Sequence, residues 1–332
     1  SAFAGTLSFG SCAIGDRAFR SMEDARRGKA AFVRMLYGGF RWADAAGFCP
    51  WDNLGQFEDG RKAFSDLCVI ARKQTARLFA GQENKLLFKV MNDTFSREPV
   101  TFEWSYELEG REVAGETRQL SIEPGFGVEQ TLVINAPMVE ARREGTLRLK
   151  ASQPGAPDYV DERPVPVLPP VTQLKVKGAL LVLDRSGTLA KFFERTRTPI
   201  ESLADPGALK TKSGTLVIGP DCLTPAEAYG QDLLAFAARG NRIIVLEQTT
   251  PIAGANVPAP LQVASFAGGY VHPQALGTPI FRDLGANDLI DWAGDFPVHR
   301  PPYYRPSQGG RSLAQCGPQL PYSCMVEMAA QS

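Results

Sequence analysis

A chain of 332 residues with 44% hydrophobic and 22% charged content has the composition of a folded protein and is long enough for about two or three domains. Lys+Arg 36 balance Asp+Glu 36, so no net field draws the chain to nucleic acid or to an anionic membrane surface, and neither is expected as a partner. No apolar run reaches the roughly 18 residues of a membrane span, and the first residues lack the basic end and long apolar stretch of a secretory leader.

The segment from Asp16 to Ala46 reads as helix, with Phe32, Val33, Leu36, Phe40 and Ala43 on one face at steps of three and four. Its first half carries Glu23, Asp24, Arg26, Arg27 and Lys29 and is expected to be the solvated part. The short apolar run Ala45-Ala46-Gly47-Phe48 then reads as a strand, followed by the polar loop Cys49-Pro50-Trp51-Asp52-Asn53. A helix feeding a buried strand that opens into a polar loop is the repeating unit of an α/β barrel.

Between Cys68 and Leu168 the period changes to two, most clearly in Val100–Leu108, where every other residue is apolar or aromatic. Similar alternation in the runs starting at Leu86, Val128 and Gly145, separated by turn signals, gives about seven strands and the pattern of an immunoglobulin-like β-sandwich. Asn92-Asp93-Thr94 is formally an N-glycosylation acceptor and also a good turn, and the turn reading is preferred. The Pro-rich stretch ending at Pro170 reads as a last edge strand running into a stiff linker.

Beyond the linker, continuous apolar runs from Gly178, Gly214 and Arg242 alternate with helix-like segments, the pattern of buried parallel strands in a doubly wound α/β domain. Thr224-Pro225-Ala226-Glu227 fits a helix-opening capping box and Gly240 a helix stop. Ser186, Gly187 and Thr188 lie where strand meets helix, either as a turn and cap or as a cradle for phosphate. The tail from Asp291 is rich in Pro, Gly and Tyr and reads as irregular, or as the start of a further β domain.

Six cysteines, Cys12, Cys49, Cys68, Cys222, Cys316 and Cys324, show neither a CxxC pair nor a metal-ligand spacing, so no metal site is expected. A Cys316–Cys324 disulfide and buried free thiols are both open readings. His-based catalysis is confined to His272 and His299, the two histidines of the chain. Cys222, just before a helix start, with His272 as its base, would be the nucleophile and base of a Cys-dependent hydrolase or amidotransferase.

The stretches Arg41–Asn53 (RWADAAGFCPWDN), Val90–Leu108 (VMNDTFSREPVTFEWSYEL) and Leu233–Gln248 (LLAFAARGNRIIVLEQ) together resemble multidomain glycoside hydrolases of the β-galactosidase-like kind, family 2 and family 42. In that group a catalytic (β/α)8, or TIM, barrel is followed by β-sandwich modules and, in some members, by a domain like class I glutamine amidotransferases. The resemblance implies a C-terminal fragment of a TIM barrel over residues 1–65 and an immunoglobulin-like β-sandwich over 66–170. It implies an amidotransferase-like α/β domain over 171–290 and the tail over 291–332. Carbohydrate would be met through the parent barrel and homo-oligomers formed through the α/β domain, in a secreted or periplasmic protein, with no cofactor.

Loops at the C-terminal ends of barrel strands build the active site, which by this resemblance makes Trp51 an aromatic sugar platform and Asp52 and Asn53 partners of sugar hydroxyls. The alternative is that Trp51 packs at the barrel bottom or on the sandwich while Asp52 and Asn53 form a turn. Retaining glycosidases need two carboxyl groups about 5 Å apart. Asp44 and Asp52, the carboxylates near the barrel-like strand, do not make that pair, so no catalytic residue is assigned and the chain alone is expected to be inactive. A non-enzymatic interaction or carbohydrate-binding module is the other reading.

Overall fold

The computed structural model describes residues 2–45, 55–252, 256–265, 270–274, 276–290 and 302–330, with side chains from Thr6 onward. It is a mixed α/β protein with several sheets, divided into two compact units. The first comprises Ser1–Pro170, Gly269–Pro297 and Cys316–Leu320; the second comprises Val171–Gly268, Val298–Gln315 and Pro321–Ser332.

The first unit opens with helix α1 (Ala2–Ile14), a 3-10 turn (Gly15–Phe19) and helix α2 (Met22–Trp42). Ser21 starts α2 by accepting the Asp24 N–H at 3.0 Å, and Glu23 and Asp24 place negative charge on the positive end of the helix dipole. The helix is shorter than the Asp16–Ala46 span expected from periodicity, because the chain from Gly15 to Phe19 winds as 3-10 and turns at Arg20.

Its buried positions also differ from those expected. Ala25, Gly28, Ala30, Tyr37 and Arg41 are buried, whereas Leu36 and Phe40 are each 42% exposed. The charged first half makes the close contact with α1, and it does so through small residues. A Cβ on Gly28 would stand 2.8 Å from the Gly10 Cα and 2.9 Å from the Gly10 carbonyl oxygen, so the two backbones touch where both residues lack side chains.

After the short helix α3 (Glu58–Ala63) come nine strands: β1 (Leu67–Ala71), β2 (Leu78–Phe79), β3 (Glu83–Asn92), β4 (Val100–Leu108), β5 (Arg111–Leu120), β6 (Phe126–Asn135), β7 (Gly145–Ser152), β8 (Tyr159–Pro164) and β9 (Val167–Leu168). They form an antiparallel sheet ordered β1-β3-β6, a second ordered β5-β4-β7-β8, and a small parallel pair, β2-β9. In β4 buried and half-buried residues alternate without a break, as the sequence period required.

The inward residues of both larger sheets, among them Phe88, Val90, Phe102, Tyr106, Leu132 and Leu149, share one core. The Pro-rich stretch expected as one edge strand divides instead between the end of β8 and β9. Asn92 is fully buried, donating to the carbonyls of Ser96 at 3.0 Å and Ile122 at 2.8 Å while accepting the Thr94 N–H at 3.2 Å, the geometry of a turn rather than of a glycan acceptor.

Residues from late in the chain complete this unit. His272, in β14 (His272–Pro273), bonds the Cys12 carbonyl at 3.0 Å, and Arg17 reaches Asn287 at 3.3 Å. The Gln319 N–H donates to Ser11 at 2.8 Å, and Arg142 pairs with the buried Asp288.

The second unit contains a parallel sheet ordered β11-β10-β12-β13, from β10 (Leu180–Leu183), β11 (Glu201–Ser202), β12 (Thr215–Ile218) and β13 (Arg242–Val245). Helix α4 (Thr188–Arg195) packs Leu189 and Phe193 on one face, against Leu180, Val182 and Val217. On the other face Leu181, Leu183, Leu216 and Ile218 meet Leu209, Leu233 and Phe236, the last two from α6 (Asp232–Ala238). Alternate residues of β10 and β12 therefore feed opposite cores, which is why these strands read as continuous apolar runs, while β13 packs Ile243 and Val245 on one core and leaves Ile244 exposed.

The capping box at Thr224 forms as expected, but the helix it opens, α5 (Pro225–Ala228), stops after one turn and the chain restarts as α6. The tail contributes β15 (Tyr303–Tyr304), β16 (Gly310–Cys316) and β17 (Tyr322–Met328), with β17 hydrogen-bonded between β15 and β16.

Helix propensity favours Ala over Gly, yet a methyl group at position 28 would overlap backbone atoms that cannot move aside. Gly28→Ala is expected to lower stability by roughly 1–2 kcal/mol net, read from the urea midpoint of unfolding. An unchanged or raised midpoint would show that α1 and α2 are not held at this contact.

Candidate functional site

Trp51, Asp52 and Asn53 lie outside the described residues. Cys222 and His272 fall in different units, and each has its own partners. The Cys222 thiol donates to the Pro220 carbonyl at 3.3 Å and accepts the Arg185 N–H at 3.1 Å, and it is buried. Arg185 closes over it, with Nη1 on the Cys222 carbonyl at 2.7 Å and both Nη groups on Glu227 at 2.7 Å.

This is the carboxyl edge of the parallel sheet, where α/β proteins bind ligands. Here it is laced by protein groups, since Gln248 also bonds the Gly219 carbonyl at 2.7 Å and accepts the Leu223 N–H at 3.0 Å. The phosphate cradle considered at Ser186–Thr188 is similarly taken. The Asp184 carboxylate accepts the Ala190 N–H at 2.8 Å and the Ser186 hydroxyl at 2.9 Å, at the helix start a phosphate would need.

His272 is buried, and its Nε2 must be the protonated nitrogen, because the Cys12 carbonyl it meets can only accept. Burial lowers its pKa below the usual histidine value against the opposing effect of that hydrogen bond, so the ring is neutral at pH 7. Cys12, Cys68, Cys222, Cys316 and Cys324 are free thiols. No cluster of three or more metal-ligating side chains occurs among the described residues, and no described helix is long and apolar enough to cross a membrane.

A dense group of ionic side chains lies in the first unit, where α2 and α3 meet β1 and β8. Strand alternation puts Tyr159, Asp161 and Arg163 on one side of β8, and helical steps of four and three put Arg34, Gly38 and Arg41 on one face of α2. Asp161, 1% exposed, is the centre. It accepts from Lys62 Nζ at 2.8 Å, from Arg163 Nε at 2.8 Å and from Arg34. Arg34 also reaches Asp59 at 2.8 Å and the Tyr159 hydroxyl at 3.1 Å, and that hydroxyl donates to the Val69 carbonyl at 3.2 Å. Arg41 bonds the carbonyls of Ser65 at 2.9 Å and Ala63 at 3.3 Å, and Asp93 at 2.6 Å.

Burial alone would raise the Asp161 pKa, but Arg163, Arg34 and Lys62 outweigh it and bring the value down to about 2. Burial raises the pKa of the Tyr159 hydroxyl and of the Cys68 thiol. At neutral pH the cluster therefore holds a fixed carboxylate, a protonated phenol and a protonated thiol, none of them suited to proton transfer or attack. Its chemistry is that of charge recognition and of joining helices to sheet.

Two openings adjoin it. A small cavity of about 20 Å³ is walled by Arg34, Arg41, Lys62, Tyr159 and Arg163. A groove of about 150 Å³ is lined by Met35, Gly39, Trp42, Arg72, Gln74 and Tyr270, with the Arg72 guanidinium 5.7 Å from the centre of the Trp42 ring. The alternating charges on β8 and the basic steps on α2 are visible in the sequence, but nothing in it says that the two elements meet.

No family model matches the chain and no curated protein matches it. Among solved structures, the C-terminal domain of wzt is similar over 32% of this chain and 74% of that one, at 13% identity and a TM-score of 0.25. A likeness that slight carries no argument about fold or function.

Asp161→Asn leaves three cations facing a neutral group and is expected to destabilise the first unit by about 3–5 kcal/mol. The wild-type carboxylate, with its pKa lowered, contributes stability that is complete above its unfolded value of about 3.9 and is lost as pH falls from about 4 to about 2, in total roughly 2–3 kcal/mol. Acid unfolding followed by circular dichroism checks both statements. A wild-type transition with the same acid dependence as the variant would refute them.

Proposed function

We propose that the chain is the closing segment of the catalytic barrel of a β-galactosidase-like glycoside hydrolase, joined to an immunoglobulin-like sandwich and a catalytically silent amidotransferase-like α/β domain. The observation that carries this reading is the apolar surface of the helical segment. Phe9, Phe19, Met22, Leu36 and Phe40 are 41–46% exposed, and Leu36 and Phe40 belong to the stripe that the sequence period marks as a buried face. In a barrel the apolar face of each helix packs on the strands inside it, so a helix of that kind described without those strands would show its stripe to solvent.

Two further features support it. Two antiparallel sheets sharing one core suit an immunoglobulin-like sandwich, and a parallel sheet covered on both faces suits the α/β domain. The hydrogen-bonded carboxyl edge around Cys222 favours a silent domain over a Cys222–His272 hydrolase. Within this reading Trp51 is a wall of the sugar site, and Asp52 and Asn53 bond hydroxyls. The α/β domain makes contacts between subunits, and the protein is secreted or periplasmic.

The chain alone should not release nitrophenol from a nitrophenyl β-galactoside, and a polypeptide extended by the barrel encoded upstream should. If the upstream reading frame encodes no barrel strands ending in glutamates, the proposal fails.

A second reading, a carbohydrate-binding module without catalysis, is favoured by the groove of Trp42 and Tyr270 with Gln74 and Arg72, where flat aromatic surface adjoins planar polar groups. Isothermal titration of a β-galacto-oligosaccharide against two variants separates them. Binding lost in Trp51→Ala and kept in Trp42→Ala supports the barrel site, and the opposite pattern supports the groove. Binding retained in both variants would remove both assignments.

A further inference from the structure

We infer that the small cavity between α2, α3, β1 and β8 is a binding site for a single monatomic anion, chloride in physiological media. Four side chains with permanent positive charge at neutral pH, Arg34, Arg41, Lys62 and Arg163, line it, and no carboxylate does. Asp161, buried beside it, is the one anion in the interior, whereas Asp59, Glu58 and Asp93, the other acidic partners of these cations, stand at the solvent-exposed rim. Charges at the rim are screened by water and salt much more than those inside, so the interior carries a surplus of positive charge.

Unused donors accompany that surplus. Arg41 is 5% exposed, and its two Nη groups are bonded, yet its Nε has no hydrogen-bond partner. Leaving a buried donor of a charged group unsatisfied is costly, and an acceptor in the cavity would offset that cost. Among the described residues Arg163 bonds protein only through Nε, to Asp161, which leaves both of its Nη groups to be satisfied otherwise.

Size selects the occupant. A volume of about 20 Å³ holds one small particle, and among anions a monatomic one such as chloride, somewhat larger than water, asks the least widening of the walls. Water would fit, but it brings two protons to a wall dominated by cationic donors and no compensating charge. Chloride brings only acceptor capacity and a negative charge. Bound there, it would bridge helix and strand residues and add to the fastening of α2 and α3 on the sheet.

The full chain is compared in sodium chloride and in sodium gluconate at equal ionic strength, so that general screening is the same in both. Chloride should raise the melting temperature by roughly 3 °C relative to gluconate, and the rise should saturate with concentration as binding does. Arg163→Gln should abolish the difference while the far-ultraviolet spectrum stays native. Crystals soaked in bromide, which need no variant, should give an anomalous peak in the cavity. Equal melting temperatures in the two salts would overturn the proposal. So would a halide effect undiminished in a folded Arg163→Gln protein, or bromide peaks that leave the cavity empty.

Discussion

One buried carboxylate organises the first unit. Asp161 comes from the sheet, Arg34 from a long helix, Lys62 from a short one, and Arg163 from its own strand. Three cations would repel each other without the anion between them, and the anion would not stay ionised in the interior without the cations. Neither set can be removed alone, which makes the seam between helices and sheet a matter of charge rather than of oil. Trp42 is the residue of α2 that packs on the sandwich core, and the polar cluster adds to that attachment.

The same unit has its largest apolar residues in two different situations. Inside the paired sheets Phe88, Phe102, Tyr106 and Leu132 are covered on all sides. On the helices Phe9, Leu36 and Phe40 remain partly in water. Burying a stripe of that kind is worth roughly 25 cal/mol for each Å² removed from solvent, and a sequence that keeps the stripe without burying it is spending that potential elsewhere. The barrel partner proposed above would cover that stripe. In the second unit alternate residues of β10 and β12 feed two covered faces, Ile244 of β13 stays 51% exposed, and the carboxyl edge of the sheet is occupied by its own side chains.

What the sequence disclosed follows the reach of each force. Period-two alternation located β3, β4, β6 and β7, and continuous apolar runs located β10, β12 and β13, because burial on one or two faces is written directly into neighbouring residues. The capping box at Thr224 was equally local. Helix α1 was missed, since small residues such as Gly5, Gly10 and Ala13 give it no apolar period. The burial of α2 was misread in part, because Phe32 of the stripe packs on Phe9 of α1 at 5.0 Å while Leu36 and Phe40 stay exposed and the small residues Ala25, Gly28 and Ala30 are the buried ones. The ionic cluster needed residues some 125 positions apart to be joined, as Arg34 and Tyr159 are, and no spacing rule spans that distance.

The bonds that tie α1 and the turn after it to residues far along the sequence also set a condition on how the molecule is made. Cys12 is held by His272, Ser11 by the Gln319 backbone and Arg17 by Asn287. A ribosome delivers these partners only after the second unit's parallel sheet has emerged, so α1 must wait, incompletely fastened, while the intervening residues are made. The sheets and the parallel domain can close on contacts available as they appear, but α1 is secured only after them.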